Sequence, residues 1–197
     1  MDFSFTAEQR QIAAAIAKTC KRFDDSYWLA RDRTGDFPHD FCSALAADGW
    51  LGIAMPESYG GAGLGIMEAA LMMQTIAESG AAMSGCSAVH MNIFGPNVIV
   101  VFGTDEQKAR MLPPLIGGQT RACFGVTEPD TGLDTAHLKT LARRNGDHYL
   151  VNGRKVWTST AKVADKILLI ARTKSIEECD KASDGLSLFY TELDRST

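Results

Sequence analysis

Two short stretches carry turn formers, hydroxyls and an aromatic whose backbone and side chains could hold a ligand or merely turn the chain: "GVTEPDTGLDT" over 125–135 and "VWTST" over 156–160. The first crowds turn formers and hydroxyls between segments that read as strands. Taken alone, Pro129-Asp130-Thr131-Gly132 is a reverse turn, because proline presets the backbone and Asp, Thr and Gly supply local hydrogen bonds or conformational freedom. A turn also leaves N–H and C=O groups exposed that a strand interior has already paired, so its backbone can serve a ligand. In the second stretch Trp157 is an aromatic platform and Ser159 a hydroxyl; the competing readings are a core aromatic and a turn serine.

Other chemistries find less support. The five cysteines, at 20, 42, 86, 123 and 179, are odd in number and form no C-x-x-C pair, which points to reduced thiols in a cytoplasm-like compartment. The four histidines lack metal-ligand spacing, so no metal is expected. A formal charge of −4 and the absence of a long Lys/Arg cluster argue against nucleic acid as a partner. The start "MDFSFTAEQRQ" has no basic or apolar leader regions, so the mature protein is expected to begin at Met1, and no apolar run is long enough for a membrane span. Among the acids, Glu128 and Asp130 share the first stretch, and Glu128 precedes a proline and is expected to fix the loop or stay solvated; Glu57, Glu68 and Glu78 fall on or beside helices where solvated or paired carboxylates are the default. None is assigned as a catalytic base.

The elements that must position these stretches change character near residue 118. Thr6 with Gln9 forms a capping box, followed by an apolar stripe at Ile12, Ile16, Cys20 and Phe23. Pro38 opens a second helix carrying Phe41 and Leu45, which stops at Gly49. A third spans Ile66 to Ser79 with Ile66, Ala69, Ala70, Met73, Ile76 and Ala77 on its apolar face. Residues 81 to 102 are apolar nearly all round and predict a buried helix bent at Gly95-Pro96. A second capping box, Thr104 with Gln107, opens a helix expected to end near Pro113-Pro114. Beyond "IGGQ", Asn145-Gly146 and Asn152-Gly153 are hairpin signals, and "KILLIART" and "LSLFYTEL" read as core strands. The expectation is an α+β chain, with a helical domain over 1–118 and a β domain over 119–197.

This order resembles the acyl-CoA dehydrogenase family across essentially the whole chain. Four anchors carry the likeness: "MPESYGGAGLG", "FGTDEQKARMLPPLIGGQ", "CFGVTEPDTGLD" and "VNGRKVWTSTAKVAD". The resemblance implies an N-terminal all-helical bundle, an antiparallel β-barrel-like middle domain, and truncation before a C-terminal helical bundle. It implies FAD as cofactor, with the loop from Phe124 through Val126, Thr127, Gly132 and Leu133 lining the flavin, and with Trp157, Thr158 and Ser159 as the second wall. Ser159 takes the place of a family hydroxyl that hydrogen-bonds the flavin atom receiving hydride. Leu133 departs from the serine common in the family, so it is kept as a backbone contact to flavin or substrate.

The implied reaction is α,β-dehydrogenation of an acyl-CoA thioester, in fatty-acid β-oxidation or related lipid metabolism. Ser87, His90, Met91 and Phe94 are implied to line the acyl cavity, with ordinary helix packing as the alternative and a satisfied core histidine as the alternative for His90. The family's glutamate base lies beyond Thr197, so the 197 residues alone are expected to be inactive. Implied partners are an electron-transferring flavoprotein and further copies in a homodimer or homotetramer, in the cytoplasm. The rival readings are a flavin-dependent monooxygenase of the same superfamily and a non-catalytic partner subunit.

Overall fold

The computed structural model describes residues 4–195; Met1 and Thr197, the two chain ends considered above, lie outside them. The chain divides into two compact units, Met1–Arg121 and Ala122–Thr197.

Among the described residues, seven α-helices build the first unit. Helix α1, Ala7–Cys20, starts at the expected box: Gln9 N–H donates to the Thr6 hydroxyl at 3.1 Å, and Thr6 N–H donates to the Gln9 side chain at 3.0 Å. These bonds satisfy amides that have no partner inside the helix. Helix α2, Asp25–Thr34, has no counterpart in the sequence reading. Its composition is mostly polar, so apolar periodicity cannot find it, yet the Asp24 cap on Tyr27 N–H and the left-handed Gly35 mark both ends. Helix α3, His39–Ala47, follows Pro38 and stops before Gly49, whose φ is 81°.

Helix α4, Ile66–Ile76, buries Ala69, Leu71, Met72, Thr75 and Ile76. The expected face is therefore rotated: Ile66 and Ala70 are exposed, and Ala77 lies outside the helix. With apolar residues on nearly every side, the repeat leaves the orientation to tertiary packing. A wide turn over Ala77–Ala81, with Gly80 at φ 95°, joins α4 to α5, Ala82–Ile93; α6, Asn97–Phe102, follows the expected bend at Gly95-Pro96. The helical stretch Ile66–Phe102 is long and apolar enough to cross a membrane by length and composition alone. Here Ala69, Met72, Ile76, Cys86, Val89 and Ile93 from it build the core of this unit.

Helix α7, Asp105–Ile116, opens with the Thr104–Gln107 box and runs through Pro113 and Pro114 rather than ending there. The two missing N–H groups would have served the carbonyls of Ala109 and Arg110, which are exposed residues where water can substitute. The core's aromatic knot is Phe23, Tyr27, Trp28 and Phe41, in edge-to-face pairs 4.8–5.4 Å apart. Burying a side chain such as Phe41 contributes about 1.5–3 kcal/mol.

The second unit is a five-stranded sheet built from β1, Ala122–Gly125; β2, Leu141–Asn145; β3, His148–Asn152; β4, Lys166–Arg172; and β5, Leu186–Glu192. Strand β4 is central. It pairs antiparallel with β5 along its whole length, and on the opposite edge pairs parallel with β1 over Lys166–Leu169 and with β2 at Arg172. The sheet is thus mixed, where the resemblance had implied an antiparallel one, because β4 takes parallel partners far from it in sequence. Asn145-Gly146 does form the β2–β3 hairpin, with Gly146 at φ 64°. Asn152-Gly153 forms no hairpin: after β3 the chain enters a long loop, and Gly153 is needed because a Cβ there would lie 2.2 Å from the Thr140 hydroxyl. The residue type signalled close approach, not reversal.

Candidate functional site

The loop after β1 and the loop before β4 lie together in the second unit. Glu128 and Thr131 exchange backbone bonds of 3.0 and 3.1 Å, closing Pro129-Asp130 into a tight tip. Below that tip the Glu128 carboxylate, 6% exposed, is an organising anion. It accepts from Lys139 N–H at 2.6 Å, from Thr140 N–H at 2.9 Å, from the Thr140 hydroxyl and from Lys155 Nζ at 2.9 Å. Burial pushes its carboxyl up, but the Thr140 hydroxyl, the Lys139 and Thr140 amides and the Lys155 ammonium together outweigh burial and hold it down to about 2. The expectation that Glu128 fixes the loop is met, and its oxygens are engaged. Asp130 pairs with Lys139 at 3.1 Å on the exposed rim, where such a pair contributes about 0–1 kcal/mol.

The same lysine ties the two candidate walls together. Lys155 Nζ donates to the Val126 carbonyl at 2.9 Å, and Val156 N–H donates to the Thr127 carbonyl at 2.9 Å. Thr127 is half-buried, and Phe124 stands 37% exposed on β1. At Gly132 a Cβ would meet no heavy atom within 4 Å, so the protein leaves open space there, and Leu133 next to it is fully exposed. Trp157 is 90% exposed and has φ 58°, and Thr160 has φ 62°. Thr158 is half-buried; Ser159 is exposed, with its carbonyl accepting from the Thr160 hydroxyl. An exposed indole on a segment bonded to a loop of hydroxyl residues is a surface suited to a flat ligand with a polar edge.

Sequence reasoning missed Lys155, Thr140 and Arg172. Arg172, 3% exposed, donates to the carbonyls of Leu138, Ala136 and Ala182, and so pins the segment that follows the turn. Nothing in local sequence separates a buried lysine or arginine from a solvated one; Gly153 beside Thr140 was the available signal of close packing.

The expected acyl-cavity residues lie on α5 and the turn after it, in the helical unit. Ser87, His90 and Phe94 are half-buried and Met91 is 7% exposed. The His90 ring sits 3.1 Å from the Ser87 carbonyl, and Phe94 packs against the helical core. A cleft of about 680 Å³ in this unit is lined elsewhere, by Cys20, Phe23, Asp24, Glu78 and their neighbours. Among the described residues no group of three or more His, Cys, Asp or Glu side chains could hold a metal ion.

The models of the acyl-CoA dehydrogenase N-terminal domain and middle domain match residues 6–119 and 123–197. The chain belongs to the acyl-CoA dehydrogenase family. A 3-(aryl)acrylate reductase of Clostridium sporogenes is 33% identical over 166 residues, covering 82% of this chain and 41% of that protein. Acyl-CoA dehydrogenase FadE12 of Mycobacterium tuberculosis is 34% identical over 175 residues, 88% of this chain and 45% of the relative. The chain thus spans less than half the length of these relatives. Among solved structures, a glutaryl-coenzyme A dehydrogenase in complex with glutaryl-CoA superposes with a TM-score of 0.87 at 28% identity, covering 98% of this chain and 48% of its own. The helical unit and the mixed-sheet unit are thus each matched by a domain of that family.

Proposed function

We propose that this chain is part of an FAD-dependent acyl-CoA dehydrogenase acting on acyl-CoA thioesters. The observation that carries the reading is the joining of the Thr127 loop to the Trp157 segment through Lys155 and Val156. Phe124, Val126, Thr127, Gly132, Leu133, Trp157, Thr158 and Ser159 would hold the flavin. Exposed loop amides and the Thr127 hydroxyl would meet its polar edge, the Trp157 indole would cover a ring face, and Ser159 would donate a hydrogen bond that favours negative charge on the reduced ring. The flavin, when bound, supplies the two-electron acceptor for oxidation of a Cα–Cβ bond.

Leu133, fully exposed, offers no side-chain hydrogen bond and would contact ligand through its backbone only. Proton abstraction asks for a carboxylate free to titrate at neutral pH, and Glu128, held down to about 2 by four donors, is unsuited to it. No base is assigned within these 197 residues, and on their own they are expected not to turn over substrate. Ser87, His90, Met91 and Phe94 remain the proposed acyl-chain contacts, an electron-transferring flavoprotein the proposed acceptor, and a cytoplasmic homo-oligomer the proposed form.

The test uses the protein purified from its native source. FAD is expected to co-purify and to be bleached by an acyl-CoA under anaerobic conditions. Thr127→Ala and Trp157→Ala are expected to weaken FAD binding by about tenfold each. Unchanged affinity in both variants refutes the assignment of the walls, and oxygen consumption with added reduced flavin in place of bleaching moves the reading to a monooxygenase.

A further inference from the structure

The Lys155 ammonium reaches back along the sequence to two groups that flank Thr127, the Val126 carbonyl and the Glu128 carboxylate. Its neighbour Val156 takes the Thr127 carbonyl itself. One dipeptide therefore brackets the Thr127 backbone on both sides and in the middle, and Trp157 follows immediately. Trp157 sits at φ 58°, a strained conformation for a bulky residue that persists only where its surroundings over-determine it. Packing does not hold it, because the side chain is 90% exposed. Backbone anchors do: Lys155 and Val156 on one side, and on the other the Thr160 carbonyl, which accepts from Val163 and Ala164, with the Arg195 guanidinium on the Ala161 and Ala164 carbonyls.

We propose that Lys155 is a positioning residue that sets the register between Thr127 and the Trp157 indole, so that both walls stand in place before any ligand arrives. The proposal rests on the flavin reading above. An ammonium suits the task because it offers three donors from one point, and two of them are spent on Val126 and Glu128. A methionine of similar length would fill the same volume but leave the Val126 carbonyl without this donor and Glu128 without its cation.

A pair kept only for stability predicts something different. Breaking one half of a buried ion pair leaves an uncompensated charge, whereas neutralising both halves is often without net cost. Lys155→Met and the double variant Glu128→Gln/Lys155→Met separate the two, in the protein as its gene encodes it. Three quantities are read: the flavin-free thermal midpoint, hydrogen exchange at the Val156 and Trp157 amides, and the FAD dissociation constant. The single variant is expected to melt well below wild type. The double variant is expected to regain most of that loss, yet to exchange its Val156 amide, and to release FAD, about tenfold more readily than wild type. A double variant with wild-type exchange and wild-type FAD affinity overturns the proposal. So does one that melts as low as Lys155→Met alone, since the contacts of Lys155 then hold the fold as a whole and not the register alone. If wild type binds no FAD, the flavin reading fails by itself, and the exchange rates still decide whether Lys155 sets the register: lost protection in the double variant upholds it and retained protection overturns it.

Discussion

At the scale of single residues, a buried anion met by a neutral hydroxyl gives a measurable quantity. Thr140 is 2% exposed and its hydroxyl donates to Glu128, so Thr140→Val is expected to destabilise by about 1.5–3 kcal/mol in urea melts, as loss of a hydrogen bond to a charged group does. The acid response has a definite sign. The Glu128 carboxyl is held at about 2 in the fold, against an ordinary 4.5, so the stability it contributes is present above about pH 4.5 and is lost as pH falls toward about 2. Acid unfolding followed by circular dichroism is expected to be shallower through that window in Glu128→Gln. Gly153→Ala drives a Cβ into Thr140 at 2.2 Å from the hydroxyl and 2.7 Å from Cα, and is expected to cost about 1–3 kcal/mol or more by the same melts. The turn at Pro129-Asp130 was legible in sequence because turn formers act on their own backbone, whereas Thr127, Trp157 and Ser159 were named through the family resemblance. Lys155 was legible in neither way, since its worth comes from partners 27 and 29 positions away.

Elements divide in the same manner. Both capping boxes were legible because every atom involved lies within four residues, and the Gly95-Pro96 bend was legible because proline and glycine act on their own backbone. The face of α4, the passage of α7 through two prolines and the pairing partners of β4 were not, because each depends on what packs or hydrogen-bonds from elsewhere in the chain. Helix α2 was missed for want of apolar periodicity, although its caps were in plain view. The turn between α4 and α5 offers a test at this scale. Gly80 has φ 95° and a Cβ there would lie 2.8 Å from an Asp25 oxygen, so Gly80→Ala is expected to lower stability by about 1–2 kcal/mol, while Gly60→Ala, with open space around it, carries the backbone cost without the contact. Paired thermal melts of the two variants compare them directly.

For the molecule as a whole, the two units differ in how their contacts are reached along the chain. The helical unit carries exposed apolar side chains at Phe102 and Met83, and the sheet unit carries Leu133 and Trp157, so the 197 residues expressed alone are expected to bind a hydrophobic dye, less so after Phe102→Ser. The central place of β4 has a consequence for the order of events during synthesis. Its parallel partner β1 precedes it by the whole β2–β3 hairpin and the loop that carries Trp157. Parallel pairing across so long a segment is rewarded only after the intervening chain has been closed, which makes it a slow step relative to forming local helices. A polypeptide leaving the ribosome amino-end first can therefore assemble its helices while β1 still waits for a neighbour. The Thr127 loop inherits that delay, and its final shape is set by a strand the ribosome has yet to make when the loop itself emerges.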